Sequence, residues 1–248
     1  MEASIIIPSF KRADLLAWGL YSLSQQQRIS ECEIVVLNDG LRDGTENLCN
    51  NYVKLLNIKY IFTGFRNDSG EKWRIPGFCI NIGVKMCTSD IIILSCPEMF
   101  LVENDILSLM LDEIKKSPKA LVITEGKDDI RRTYLQQITT TKVHSEAIYR
   151  PMAGLCTDYP FFMCMMKKEF VDIGGYDEDF IGKAYDDTDL VRRLLRNGCS
   201  YVKLNRKVVH LYHQRYHNMT GFELNKKMFF EREGMINRNV GREWGVLC

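Results

Sequence analysis

Long apolar runs, a dominant charge and C-x-x-C pairs are all missing from this chain of 248 residues, and each absence closes off a class of function. The longest apolar run, Phe161 to Met166, is far too short to cross a bilayer, so no membrane span is expected. Lys and Arg total 33 against 32 Asp and Glu, which leaves no global field to gather nucleic acid or anionic membrane. From Tyr201 onward nine Lys/Arg face four Asp/Glu, a local bias that fits a solvated surface better than an anion site. The nine cysteines are odd in number and sit mostly among apolar neighbours, as reduced core thiols do. No basic segment precedes an apolar stretch near Met1, and together these features imply a soluble, cytoplasmic protein. No repeat, low-complexity tract or Gly/Ser/Pro linker divides the chain, so a single domain over residues 1–248 is expected.

What is present is alternation. Ser4–Ile7, Glu33–Leu37, Lys59–Phe62, Ile91–Leu94 and Ala120–Ile123 read as strands. Between them Leu16, Leu20 and Leu23 share one helical face, as do Leu48, Tyr52 and Leu55, and then Ile106, Met110 and Ile114. Strand–helix alternation at this spacing predicts an α/β fold with a mostly parallel central sheet flanked by helices. In such sheets ligands bind beyond the carboxyl ends of the strands. Two polar punctuations fall there, Asn38-Asp39-Gly40 and Ser95-Cys96-Pro97-Glu98. Phe161–Met166 reads as a buried strand, whereas Lys127 to Tyr159 has weak periodicity and reads as either an elaborated binding segment or a mobile one.

Two further passages carry chemistry. Gly174-Gly175-Tyr176-Asp177 leads into Asp186-Asp187-Thr188-Asp189, where Leu190 and Leu194 mark a helix ended by Asn197-Gly198. Carboxylates are favoured at helix N-termini for local reasons alone, and that same placement can present one to a cleft. Three of the four histidines, His210, His213 and His217, lie within eight residues. If Val208–His213 is a strand, His210 and His213 point to opposite faces and cannot share an ion.

Ser4-Ile5-Ile6-Ile7-Pro8-Ser9-Phe10-Lys11-Arg12, then Glu33 to Gly40, the Gly-Gly-Tyr-Asp corner and the acidic helix start together resemble a family 2 glycosyltransferase of the GT-A fold. They are also similar to galactosyl- and N-acetylgalactosaminyltransferase domains. The matches are collinear from residue 4 to about 217. The resemblance implies a Rossmann-like nucleotide-sugar half (1–100), an acceptor and metal half (101–217) and a C-terminal helix and tail (218–248). It implies an inverting transfer from a UDP-sugar, with Asp187 as the base on the acceptor hydroxyl and Asp186, Gly175 and Tyr176 on the acceptor side. Asp39 would bind the nucleobase, with Pro8, Ser9, Arg12, Arg74 and Pro97 completing the nucleotide cradle and Arg74, beside Trp73, reaching phosphate.

The family's Asp-x-Asp motif is here Cys96-Pro97-Glu98. Glu98 remains as an oxygen ligand for Mn²⁺ or Mg²⁺, while a thiol is a poor partner for a hard cation. The Tyr212-His213-Gln214 context matches the family's histidine ligand better than His210, which stands as the alternative. The acceptor is left open: a glycan, a protein, another hydroxyl-bearing molecule or a nucleic-acid base. Two other readings remain at this stage. One is a catalytically impaired sugar- or nucleotide-binding module, favoured by Cys96. The other is a nucleotidyltransferase, which needs a glycine-rich phosphate loop that Pro8 to Arg12 does not supply. Asn237 to Gly245 reads either as a lid or as a packed tail.

Overall fold

The computed structural model describes residues 1–64, 74–155, 161–214 and 221–247. The strands are β1 (Ala3–Ser9), β2 (Cys32–Asn38), β3 (Ile58–Phe62), β4 (Ile91–Ser95), β5 (Met99–Leu101), β6 (Ala120–Asp128), β7 (Ala153–Gly154), β8 (Phe162–Met166) and β9 (Ser200–His210). The helices are α1 (Ala13–Ser24), α2 (Thr45–Tyr52), α3 (Pro76–Met86), α4 (Ile106–Lys116), α5 (Thr133–Thr141), α6 (Glu146–Tyr149), α7 (Lys167–Asp172), α8 (Asp186–Arg196) and α9 (Phe222–Glu231).

One sheet runs through them in the order β3-β2-β1-β4-β8-β6-β9-β5, with β7 paired to β6. The four strands from β3 to β4 are all parallel. Isoleucine and valine, stiff at χ1 and suited to a pleated surface, fill β1, β2 and β4, which are buried along their whole length. Beyond β4 the sheet becomes mixed. β8 enters antiparallel between β4 and β6, and β9 returns parallel to β6.

The chain leaves β1 toward β2 and β3, then crosses back to β4 on the other side of β1. That reversal opens a crevice at the carboxyl ends of β1 and β4. Glu33 ties the opposite end: its Oε1 accepts from Ser4 Oγ (2.5 Å), Thr88 N (2.6 Å) and Thr88 Oγ1 (2.8 Å). With that end pinned across three strands, the functional end is left to loops.

The helical faces expected on α1 and α4 are buried. On α2 the helix stops at Tyr52, and Leu55 beyond it is exposed rather than on the core face. Lys127 to Tyr159, expected to be an elaborated binding segment or a mobile one, holds the end of β6, α5, α6 and β7 up to Gly154, and residues 156–160 lie outside the described residues. The expected strand over Val208–His213 ends at His210, where β9 has its last paired residues, Met99 of β5 and Asp128 of β6. Trp73, Tyr216 and His217 lie outside the described residues. Among the described residues no helix is long and apolar enough to cross a membrane. The seven described cysteines are free thiols, and all but Cys96 are buried.

Asn237 to Gly245 is a packed tail. Asn239 Nδ2 donates to the carbonyls of Gly174 (2.8 Å) and Tyr176 (2.7 Å), and Lys85 Nζ lies 4.0 Å from the Trp244 ring centre. Gly174 and Gly175 adopt φ of +78° and +66°, and a Cβ on Gly174 would meet Arg238 O at 2.1 Å. Gly174→Ala is therefore expected to cost about 3 kcal/mol, from left-handed strain plus displaced backbone. In a thermal melt that is a loss on the order of 6–12 °C. A shift under about 2 °C would mean the tail does not pack where the structure has it.

Candidate active site

Three loops at the carboxyl ends of the strands supply one wall of the crevice. Asp39 follows β2, and its backbone N–H donates to Ser9 O at the end of β1 (2.8 Å). Its buried carboxylate accepts through Oδ1 from Arg74 Nε (2.9 Å), Arg74 Nη2 (2.6 Å) and Thr63 Oγ1 (3.1 Å). Arg74, expected toward phosphate, thus has its guanidinium on Asp39, with Phe78 beneath it at 4.9 Å. Pro8 is buried within β1 opposite Leu37. Ser9 is buried, and its hydroxyl has no hydrogen-bond partner among the described residues. A hydroxyl left so at a strand end is costly unless a ligand or water meets it.

The turn after β4 forms the second wall. Gly19 lets α1 press onto it, since a Cβ there would lie 3.0 Å from Pro97 O. Pro97 therefore offers backbone packing to α1. Arg12, just before α1, donates from Nε to Glu98 Oε1 (2.9 Å) and from Nη2 to His213 Nδ1 (3.0 Å). His213 Nε2 is 3.9 Å from the same carboxylate oxygen. Because β9 ends at His210, strand alternation does not separate the two histidines, and their rings lie 5.2 Å apart. Cys96, Glu98 and His210 each bring a ligand atom within 4.8 Å of the others. Asp128 Oδ1 stands 3.2 Å from His210 Nδ1 and orients that ring. The histidine preferred from sequence is thus held by Arg12, while the alternative, His210, sits in the cluster itself.

The third wall is the acidic corner, and here the structure divides the carboxylates. Arg238 reaches Asp177 (Nε–Oδ2 2.9 Å) and donates from Nη2 to Asp189 Oδ1 (2.7 Å). Arg193, wholly buried, donates from Nε to Asp189 Oδ2 (2.7 Å) and from Nη2 to Gly175 O (2.7 Å). Arg232 and Arg242 neutralise Asp177 and Asp179. Sequence reading missed these arginines, which turn most of the cluster into a scaffold.

Asp186 and Asp187 are the two left at the α8 N-terminus. Tyr176 donates its hydroxyl to Asp187 Oδ1 (2.8 Å). Burial pushes both aspartates above the ordinary carboxylate range, Asp186 further because the Asp187 charge adds to it. Gly175 and Tyr176 were expected to touch an acceptor. Tyr176 is instead wholly buried, and Gly175 lies under Asn81 and Trp244, so both act behind Asp187 rather than on a ligand.

A family model described as glycosyltransferase like family 2 matches residues 4–241. The chain belongs to this glycosyltransferase family. Chondroitin synthase of Escherichia coli is 26% identical over 85% of the chain, and validoxylamine A glucosyltransferase of Streptomyces hygroscopicus is 25% identical over 79%. The chain spans 34% and 51% of those proteins, so it matches only part of each. Among solved structures, S. aureus TarS 1–349 in complex with UDP-GlcNAc superposes with a TM-score of 0.66 at 20% identity, over 88% of this chain and 60% of that one. A Pyrobaculum calidifontis mannosyltransferase with GDP-Man and Mn²⁺ gives 0.59 at 13%, over 86% and 58%. The fold is GT-A.

As a member of this glycosyltransferase family, the chain invites a test of whether its turn after β4 suits a divalent cation. A carboxylate and imidazoles form a donor set that Mn²⁺ accepts. Burial lowers the His213 pKa and keeps that imidazole neutral, as ligation requires. Cys96 does not add to the set. Burial, with the Glu98 and Asp187 charges, pushes its thiol well up, and a thiol is a poor partner for a hard cation. The residues fit a cation through Glu98 and histidine, without Cys96.

Proposed function

We propose that the chain transfers a sugar from a UDP-sugar to an acceptor hydroxyl, with inversion, in a reaction that depends on a divalent cation. The observation that carries this reading is Asp187: a carboxylate at a helix start, bonded to a buried tyrosine, spared by the arginine network, and raised in pKa by burial. Such a group is poised to take a proton from a hydroxyl. Asp39 and Ser9 receive the nucleoside, with Arg74 fixing Asp39 from behind. Arg12, already at the mouth beside Glu98, offers charge to the diphosphate. Mn²⁺ or Mg²⁺, held by Glu98 with His213 or His210, would supply charge neutralisation for the departing diphosphate. TarS with UDP-GlcNAc supports the choice of uridine, and the mannosyltransferase with Mn²⁺ supports the cation. The nucleotide half (1–100) and the acceptor half (101–217) thus meet across one cleft.

Cys96 favours a second reading, in which the chain binds nucleotide sugar without turning it over. Calorimetry with UDP and turnover with UDP-sugars separate the two. On the first reading Asp39→Asn weakens UDP binding on the order of 10-fold or more, as loss of a charged hydrogen-bond partner does. Wild-type affinity in that variant would remove Asp39 from the nucleotide site. Tight UDP binding with no UDP release on any acceptor supports the second reading.

A further inference from the structure

The turn that delivers Asp187 is not held by its own helix. α8 has no side-chain cap, and its N-terminal flank, Ala184 and Tyr185, takes two consecutive left-handed conformations (φ 76° and 71°). Non-glycine residues persist in that conformation only where their surroundings hold them, so something outside must hold the pair. That something is α9. Asn225 is wholly buried, and its Oδ1 accepts from Ile181 N (3.1 Å). Its Nδ2 donates to the carbonyls of Ile181 (2.7 Å), Lys183 (3.0 Å) and Ala184 (3.1 Å). The Tyr185 ring packs against Phe222 and Phe229 of the same helix, with centres 5.5 and 5.2 Å apart. Gly221, at φ 80°, allows the closest approach, since a Cβ there would meet Ile181 O at 2.4 Å.

Resting on the reading of Asp187 as the base, we propose that Asn225 is the positioning residue of the reaction, fixing the strained 181–185 turn so that Asp187 faces the acceptor hydroxyl. One asparagine accepts from one amide and shares its two N–H hydrogens among three carbonyls of a single turn, so the turn is tied to α9 at Ile181, Lys183 and Ala184. The tie is specific to the base. Ile181 also bridges Arg74 across the cleft, but the Arg74 guanidinium is fixed separately by Asp39 and Thr63 (Nη2–Oγ1 3.1 Å). Loosening the turn therefore spoils aim at the acceptor and spares the nucleotide.

The test measures UDP release from UDP-N-acetylglucosamine and UDP-glucose, normalised to UDP-binding sites counted by calorimetry. Asn225→Ala is expected to lower turnover per binding site about 30–100-fold, as a misplacement near 1 Å does, with UDP affinity within about threefold. Asn225→Ser, which keeps one donor, falls between and carries the test if the alanine variant does not accumulate. A purely structural role would lower melting temperature and yield but leave turnover per binding site at the wild-type level, and that result overturns the proposal. A wild type that binds UDP and releases none from any UDP-sugar removes the reading of Asp187 first, and this proposal with it. Normal wild-type turnover with unchanged Asn225 variants removes this proposal alone.

Discussion

Asp187→Asn is expected to lower turnover about 10³-fold while leaving UDP-sugar affinity within about threefold. Asparagine keeps the shape and can still accept from Tyr176 Oη, so the site should remain assembled with only the basic oxygen lost. The wild-type pH profile carries the same information. Burial is the main cause that raises Asp187 above its usual value. A base works deprotonated, so turnover should fall as pH drops through that raised pKa. The acid limb should then lie above the ordinary aspartate value of about 4. In the asparagine variant that limb should vanish from whatever residual rate is left. A variant with wild-type turnover, or one that keeps the acid limb unmoved, would place the base elsewhere.

Glu98→Gln is expected to give the second-largest loss, about 100-fold in turnover. Glu98 is the one carboxylate left in the Cys96-Pro97-Glu98 turn, and it also anchors Arg12. Its loss should show in Mn²⁺ titrations followed by electron paramagnetic resonance, where the variant binds at least about 10-fold more weakly. Chelation of the wild type should abolish UDP release, and added Mn²⁺ should restore it. Full activity in a chelated wild type would leave Arg12 to supply the counter-charge for the diphosphate without a cation.

The parallel half of the sheet was legible because β-branched runs at β1, β2 and β4 alternate with helices through local contacts. The other half was not. β8 slots between β4 and β6 from some 70 residues away, a pairing that no local pattern encodes. The length of β9 was hidden for a similar reason, since charged and polar residues alternate along its half-exposed face. Of the proposed site, Asp39, Glu98 and Asp187 stood out by type and by place at strand ends and a helix start. The fate of their neighbours did not. Asp177 and Asp189 read like Asp187 in one dimension, and only the arginines at 193, 232 and 238 divide scaffold from working carboxylate. Asn225 gave no sign in the sequence, because an asparagine inside a helical segment is ordinarily read as a poor helix former.

The Gly174-Gly175 corner shows how scaffold and chemistry join. Its left-handed backbone admits the tail at Arg238, which pairs with Asp177 and Asp189 and not with Asp187. Tyr176, buried beside that corner, donates a single hydrogen bond to Asp187, the proposed base.

The central claim, that this crevice receives a UDP-sugar, is tested most directly by melting the wild-type protein with Mn²⁺ against a panel of UDP-, GDP- and dTDP-sugars. A ligand that binds only the folded state at 100 times its Kd stabilises it by about 2.7 kcal/mol, a shift well within reach of the measurement. UDP-sugars should raise the transition and the others should not, and Asp39→Asn should cut the shift to about half or less. A panel in which no nucleotide sugar moves the transition, or in which GDP-sugars alone do, would contradict it.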